Sequence, residues 1–549
     1  MKRLLALLLA VFMIVGVIML VASCGEEKTP DSTTKANTEA TTKGGTTPTE
    51  PVETQEATTQ GGDTPVVPTE ATTQGGDTPV VPTDATTQGG TTPSGDGDGY
   101  SKPDGYLDVD FGGRTFHFVT TSDLNDPEDG YRWNTEREVA VDSRTGGTII
   151  QTAVYDRNQV MKKLYNCEIK ATEGSAPTLI QNDVNSGTNE YDIGIWQNQG
   201  TLTNKGGYYI NIYDLNPDFN LPGWNRAFFD QLTVRDSNGV DKLYNFDADC
   251  NIVGYRATWV LYLNLDLYNA NFTENFFDMV ERGEWTVDKM MELMSVVAQD
   301  NGDQVWNTAG GDDVFGLFTS NYNVHGLVTS MGIRLIKADP ETHSFSTSVE
   351  QITGNNAIEA INKAGELYAL EYVTPTSYSL ARQEIQADRT LFMGEVLDVL
   401  ERMKDNEDLN VTVLPEPLFE AQENPDYKFY VNTKVSYYAI SKNACGGDRE
   451  MISDFINVWV YHSSKIVYPA FRQAYGSIYC QDERAMEMLD YILDGRIYEL
   501  AYIKGSSAYG EVTKFITSGK NELNRAANKL VKGLQEVIDT FVSDMNESE

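Results

Sequence analysis

From Gly25 to Gly99 the chain contains no aromatic residue, and its only large aliphatic side chains are five valines. Such a tract has almost nothing to bury against the entropy of ordering itself, so any core must be drawn from Tyr100 onward. A 14-residue repeat runs through it, from Glu56 to Thr69, again from Glu70 to Thr83, then as a decaying copy from Asp84. Fixed periods often mark solenoids, but these copies lack an apolar face to stack. The Thr/Pro richness predicts an extended spacer open to O-glycosylation. About 75 residues span on the order of 50 Å as a coil and roughly 230 Å in polyproline geometry. Asp96-Gly-Asp98-Gly lacks the ligand-rich continuation and closing Glu of a calcium loop, and reads as linker.

Ahead of the spacer, Lys2 and Arg3 precede an apolar run from Leu4 to Leu20, followed by Ala22, Ser23 and Cys24. The run is just long enough to span a bilayer. The charged start and small-residue exit favour a cleaved secretory signal instead. Leu20-Val-Ala-Ser-Cys24 resembles the lipobox of bacterial lipoproteins. That resemblance implies cleavage before Cys24 and acylation of this cysteine, with two or more chains giving a stable anchor. The remainder then works from the outer face of the cell membrane, on a tether whose reach suits a Gram-positive-type envelope. The membrane contact is through the N-terminal lipid only.

The formal charge is −39, and residues 100–549 hold 68 acids against 37 bases. Phosphate binding needs clustered Lys and Arg, so nucleic acid and anionic surfaces are excluded as partners. Beyond Cys24 lie Cys167, Cys250, Cys445 and Cys480, with no CxxC; disulfides and isolated thiols both fit. The four histidines are far apart, so no metal site is expected. Nor is there a nucleophile elbow, P-loop, Rossmann fingerprint or zinc helix, so no cofactor is expected.

Arg114–Thr120 alternates large residues after the turn Gly112-Gly113 and reads as a strand. Ile149 to Tyr165 carries a helical apolar face, Cys167–Ala171 a second strand, Pro177–Asn185 a helix, and Tyr191–Trp196 a third strand. Strand, helix, strand, helix, strand predicts a parallel sheet, whose ligands sit beyond the carboxyl ends of the strands. Ala257–Asn264 is continuously apolar, as a strand buried on both faces should be. Phe276–Glu281 reads as a short helix ended by Gly283, and Thr286 caps the next one.

The segment from Leu267 to Met294, "LYNANFTENFFDMVERGEWTVDKMMELM", resembles family 1 extracellular solute-binding proteins, the sugar-type receptors of ABC importers. In that family a strand ending in Asn leads to a Trp-Thr helix start. Five further stretches agree in order: Ala153–Ala171, Tyr191–Trp196, Ala387–Val396, Val411–Pro417 and Arg484–Leu500. The resemblance spans about residues 105–545. Asn125–Gly147 has no counterpart, and the family's double Trp is reduced to Trp224. It implies an α/β, two-lobed, periplasmic-binding-protein-like (type II) fold with a hinge of crossing strands, preceded by a disordered stalk. The signal would be 1–23 and the lipidated Cys with its linker 24–104. Lobe 1 would take 105–257 and 416–463, and lobe 2 would take 258–415 and 464–545. Crossings fall near Ala257–Trp259, Leu414–Pro417 and His462–Lys465, and the last helix, with Leu530, Leu534, Val537, Ile538 and Phe541 on one face, packs on lobe 2.

The implied function is capture of a carbohydrate, an oligosaccharide by family default, in the interlobe cleft and delivery to an ABC transporter permease, without catalysis. Sugars need flat aromatics for their C–H faces and polar groups for their hydroxyl rims. Trp196 is the first candidate, ending the third strand with one ring face open to water; Tyr509 lies where the family places another stacking ring. Trp224 and Trp133 sit in polar, turn-rich loops. Tyr255, Trp259 and Tyr322 complete the aromatics, with Asp192, Asn198 and Arg256 as polar candidates. Trp285 and Trp459 read as packing residues. A surface polysaccharide-binding adhesin remains compatible with the sequence, as does a glycosidase, which needs only two suitably spaced carboxylates. Replacing Cys24 with Ser is expected to abolish acyl labelling and move the chain out of the membrane fraction; a mutant that stays acylated and membrane-bound rejects the anchor.

Overall fold

The computed structural model describes residues 99–547 apart from 121–135, 146, 198–201, 309–311, 321–322, 404–405, 407–408, 433–434, 480–483 and 521. The signal, Cys24 and nearly all of the spacer lie outside the described residues. Two mixed sheets organise the rest. Numbering only their strands, the first holds β1 (Arg114–Thr120), β2 (Cys167–Glu173) and β3 (Ile193–Gln197), joined far along the chain by β9 (Ser436–Ile440). The second holds β4 (Trp259–Asn264), β5 (Phe315–Thr319), β6 (Val373–Pro375), β7 (Thr390–Val396) and β8 (Val411–Leu414).

β1 pairs in parallel with β2 and β3, and β9 closes the sheet antiparallel to β3, in the order β9-β3-β1-β2. Helix Ile149–Tyr165 starts on a capping box, Thr148 accepting from the Gln151 amide while Gln151 reaches back. It ends on left-handed Asn166, with Lys162 and Lys163 in the negative last turn. Helix Arg449–His462 returns to the same sheet, where Phe455 stacks 3.6 Å from Phe116 and Trp459 lies 5.0 Å from Phe118. Arg157 is fully buried there, its guanidinium held by the carbonyls of Glu138 and Val139, by Ser463 and by the Trp459 ring. Burial lowers its pKa to about 10.

The second sheet runs β6-β5-β7-β4-β8, parallel from β6 to β7 and antiparallel beyond. All six residues of β4 are buried, as its continuous apolar run predicts. Asn264, its last residue, caps the following helix through the Leu267 amide. Thr286 likewise caps helix Val287–Val297. Helix Leu523–Asn546 buries Leu530, Leu534, Ile538 and Phe541 at helical spacing, with Val537 partly buried, against the elements Val349–Thr353, Leu500–Lys504 and Ser506–Thr517. Cys167, Cys250 and Cys445 are buried free thiols, so the described cysteines are isolated thiols rather than disulfide partners of one another.

Between β3 and β4, Asp241–Lys242 pairs with Val234–Arg235 as a short antiparallel ribbon. Phe246 makes a single bridge to Tyr438 on β9. The third passage between the sheets is longer than a crossing at His462–Lys465. It carries two π-helical segments, Ser463–Val467 and Gln473–Tyr479, around Pro469, before helix Ala485–Asp494 packs beside β8. Proline and the wide π turn both break the ordinary hydrogen-bond ladder here.

The passage after β8 is strapped to the turn before helix Val287–Val297. The Trp285 indole donates to the Pro415 carbonyl at 2.8 Å, the Leu418 amide donates to the Trp285 carbonyl while the Val287 amide donates to that of Leu418, and the Gln422 amide donates to the Gly283 carbonyl. Gly283 has φ +65°, and a Cβ there would stand 1.9 Å from the Gln422 carbonyl oxygen. Gly283→Ala is therefore expected to destabilise the fold by about 1–3 kcal/mol or more, from left-handed strain plus the clash, read as a lower urea midpoint.

Candidate functional site

The register shows where the two sheets meet the passages between them. In the first sheet β3 ends at Gln197, and β9 begins opposite it at Ser436. In the second, β7 ends at Val396 opposite Trp259, where β4 begins, and β8 ends at Leu414 opposite Leu261. The chain thus leaves and re-enters each sheet at the carboxyl edge of its parallel strands, the edge at which open α/β sheets bind ligands.

Trp196 is one residue from the end of β3, opposite Tyr437, but only 5% of it is exposed. Its ring packs 5.4 Å from Tyr209, and the expected open face is absent. Trp224 is buried too: its backbone bridges Ala248 and its ring lies edge-on to Phe219, Phe229 and Phe246. The polar composition of its loop hid this phenylalanine cage. Tyr509 is fully buried, its hydroxyl between Glu499 and Tyr430, while Glu499 also takes the amides of Leu335 and Ile336. Asp192 binds the amides of His117 (2.9 Å) and Cys445 (2.8 Å) and the Arg114 guanidinium (2.7 Å), a set that ties three segments together. Trp133, Asn198 and Tyr322 lie outside the described residues.

Tyr255, Arg256 and Trp259 come together at the first passage. Tyr255 stacks 5.0 Å from Phe471 and donates to Asp249. Arg256 pairs with Glu401 at 3.1 Å, and both reach the Tyr475 hydroxyl in the second π segment. Trp259 is 1% exposed, 6.4 Å from the half-buried ring of Tyr378. Its indole N–H has no acceptor among the described residues. The buried indoles of Trp224 and Trp459 share this feature, so it belongs to the packed tryptophans as a group.

Around the same passage lies a buried polar network that sequence reading did not find. Arg496 sits 3.5 Å from Asp247 with its guanidinium 4.4 Å over the Tyr255 ring. Asp247 also accepts from Tyr498 and from the amides of Asn225 and Asn251. Burial pushes Asp249 up to about 6, with Asp247 adding to the shift. Glu138, buried against the Val253 amide and Tyr438, is pushed by burial to about 8. These residues are scattered along the chain, and no local spacing announces that they meet.

No family model matches the chain, and no curated protein matches it. Solved structures do. A family 1 extracellular solute-binding protein from Bifidobacterium longum subsp. infantis is 14% identical, covers 77% of this chain and 99% of its own, with a TM-score of 0.46. The sugar-binding protein MalE from the phytopathogen Xanthomonas citri is 12% identical, with 78% and 98% covered and a TM-score of 0.48. The galacto-N-biose-/lacto-N-biose I-binding protein of the ABC transporter from Bifidobacterium longum is 13% identical, with 79% and 98% covered and a TM-score of 0.46.

Because Trp196 is packed on both sides, Trp196→Ala is expected to behave as a core truncation. It should lose roughly 3–5 kcal/mol of stability. Denaturant unfolding of the variant checks this, and a loss below about 1 kcal/mol would put the ring back on an open surface.

Proposed function

We propose that this chain is a lipid-anchored, extracellular solute-binding receptor of the sugar type. It captures a neutral carbohydrate between two α/β lobes and passes it to an ABC importer, without transforming it. The lobes are residues 105–257 with 416–463 and residues 258–415 with 464–545. The observation that carries the reading is the register: the passages run from the carboxyl edge of one sheet to that of the other, so both ligand-binding edges border the same connections. Hinge closure over ligand is a known motion of such two-lobed binding proteins.

Tyr378 replaces Trp196 as the first ligand residue. It opens the helix after β6 at the carboxyl edge and stands half-buried beside Trp259, which is itself as closed to solvent as Trp196. A half-exposed phenol suits a sugar hydroxyl and an adjoining C–H face. The negative charge of the chain favours uncharged solutes over anionic ones. Cys24 supplies the anchor, and the repeat tract the reach.

A panel of neutral oligosaccharides screened by thermal shift tests the reading. A true ligand at a hundredfold excess over Kd is expected to add about 2.7 kcal/mol of stability. The same ligand should reduce the radius of gyration in solution scattering and be recovered intact after prolonged incubation. Tyr378→Ala should keep the fold and weaken binding about fivefold or more, the loss of one aromatic contact. Hydrolysed sugar would move the assignment to an enzyme, and unchanged affinity would remove Tyr378 from the site.

A further inference from the structure

Glu416 lies in the passage after β8, between Pro415 and Pro417, and is 1% exposed. Both flanking carbonyls are pinned: Trp285 donates to Pro415, and Ser330 donates to Pro417 at 2.8 Å. The carboxyl therefore cannot swing toward water without breaking the strap. Its partner is the Asn323 side-chain amide, at the first residue of helix Asn323–Ser330. That helix follows β5, whose last residue, Thr319, is at the carboxyl edge of the second sheet.

Two glycines make room for the pair. A Cβ on Gly394 would stand 2.2 Å from the Asn323 Nδ2, and one on Gly326 would stand 3.1 Å from the Glu416 Oε1. The surroundings offer no compensating charge. Thr319 bonds Tyr368, whose phenol Glu416 opposes. His325, on the same helix, bonds Thr513 through Nε2 and is kept neutral by burial. Glu395, beside Gly394 on β7, takes the Val396 amide. No lysine or arginine contributes to the environment of Glu416 among the described residues. With an ionised Glu416, its Oε1 and the Asn323 Oδ1 are both buried without a hydrogen-bond partner among the described residues. A proton on the carboxyl removes the uncompensated charge and turns one carboxyl oxygen into a donor that can answer an orphaned acceptor, while the Asn323 amide still donates to the carboxyl.

We propose that Glu416 is a positioning residue that acts as a neutral carboxylic acid, clipped reciprocally to Asn323, so that the return passage fixes the start of helix Asn323–Ser330 at the ligand edge. The importance of that edge rests on the receptor reading above; the clip itself does not. Burial with only the Asn323 bond to offset it pushes the Glu416 pKa up to about 8, so the clip holds at neutral pH and opens in mild base.

The sign is fixed by linkage. A carboxyl whose folded pKa exceeds its unfolded value stabilises fully below the unfolded value, and that stability drains as pH rises to the folded one. Glu416→Gln keeps the shape and both bonds without needing the proton. In the full-length, ligand-free chain, the unfolding midpoint of the wild type is expected to fall relative to E416Q from about pH 5 to about pH 8, then run parallel to it. Amide exchange at residues 323–326, taken relative to the base-catalysed rise that every amide shows, should lose protection above pH 8 in the wild type and not in E416Q. A pH-independent gap between the two proteins overturns the neutral acid, and unchanged exchange overturns the positioning role. Should E416Q fail to fold, the infrared carbonyl band of Glu138→Gln decides, because Glu138 is another buried acid that burial raises to about 8: a protonated carboxyl lost on alkalisation supports the clip, and its absence at neutral pH rejects it. None of these readouts uses a sugar, so a failed clip leaves the receptor reading standing, and a failed ligand screen leaves the clip standing.

Discussion

The buried guanidinium of Arg496 is the interaction on which the meeting of the three passages depends. A charge taken out of water persists only where its donors and field are answered nearly completely. Here the answer comes from the Asp247 carboxylate, the Leu493 carbonyl and the face of Tyr255. Asp247 is satisfied in turn by Tyr498, Asn225 and Asn251, and Asn251 also caps helix Ile252–Arg256 and donates to the Ser436 carbonyl at the start of β9. One charge thereby connects the first passage, the return to the first sheet and the segment after helix Ala485–Asp494. Such pairs tend to specify one arrangement more than they add stability, which suits a junction that must keep two halves in register.

Local chemistry explains what the sequence made legible. The capping box of helix Ile149–Tyr165, the Thr286 cap, the Asn264 strand end and the continuous apolar run of β4 are short-range signals, and each appears where its residues predict. The first three strands and their order follow from alternation alone. Of the second sheet only β4 is legible as a strand from its own residues, and the order of the sheet depends on distant pairings such as Val411 with Asn264.

The candidate site was less legible for a physical reason. Polarity of the flanking residues is a guide to where a loop runs, but not to where one large ring within it points. Trp224 leaves its polar neighbours to fill a cage of phenylalanines, and Trp196 turns onto Tyr209. Conversely, the half-exposed Tyr378 at the carboxyl edge of the second sheet gives no local sign of its place beside Trp259. Buried acids such as Glu138 and Glu416 look like ordinary surface carboxylates until the fold removes them from water.

The pairing of β3 with β9 also bears on how the chain is made. Ile193 waits for Ile440, and Gln197 for Ser436, so the first sheet keeps an open edge while the whole second sheet is synthesised. At about 5–20 residues per second, that interval is on the order of ten to fifty seconds. A strand edge left bare for so long is a template for pairing with another chain. The nascent first half therefore has to be shielded, held unfolded or exported before it can close, and the slow step in its maturation is set by chain order rather than by stability.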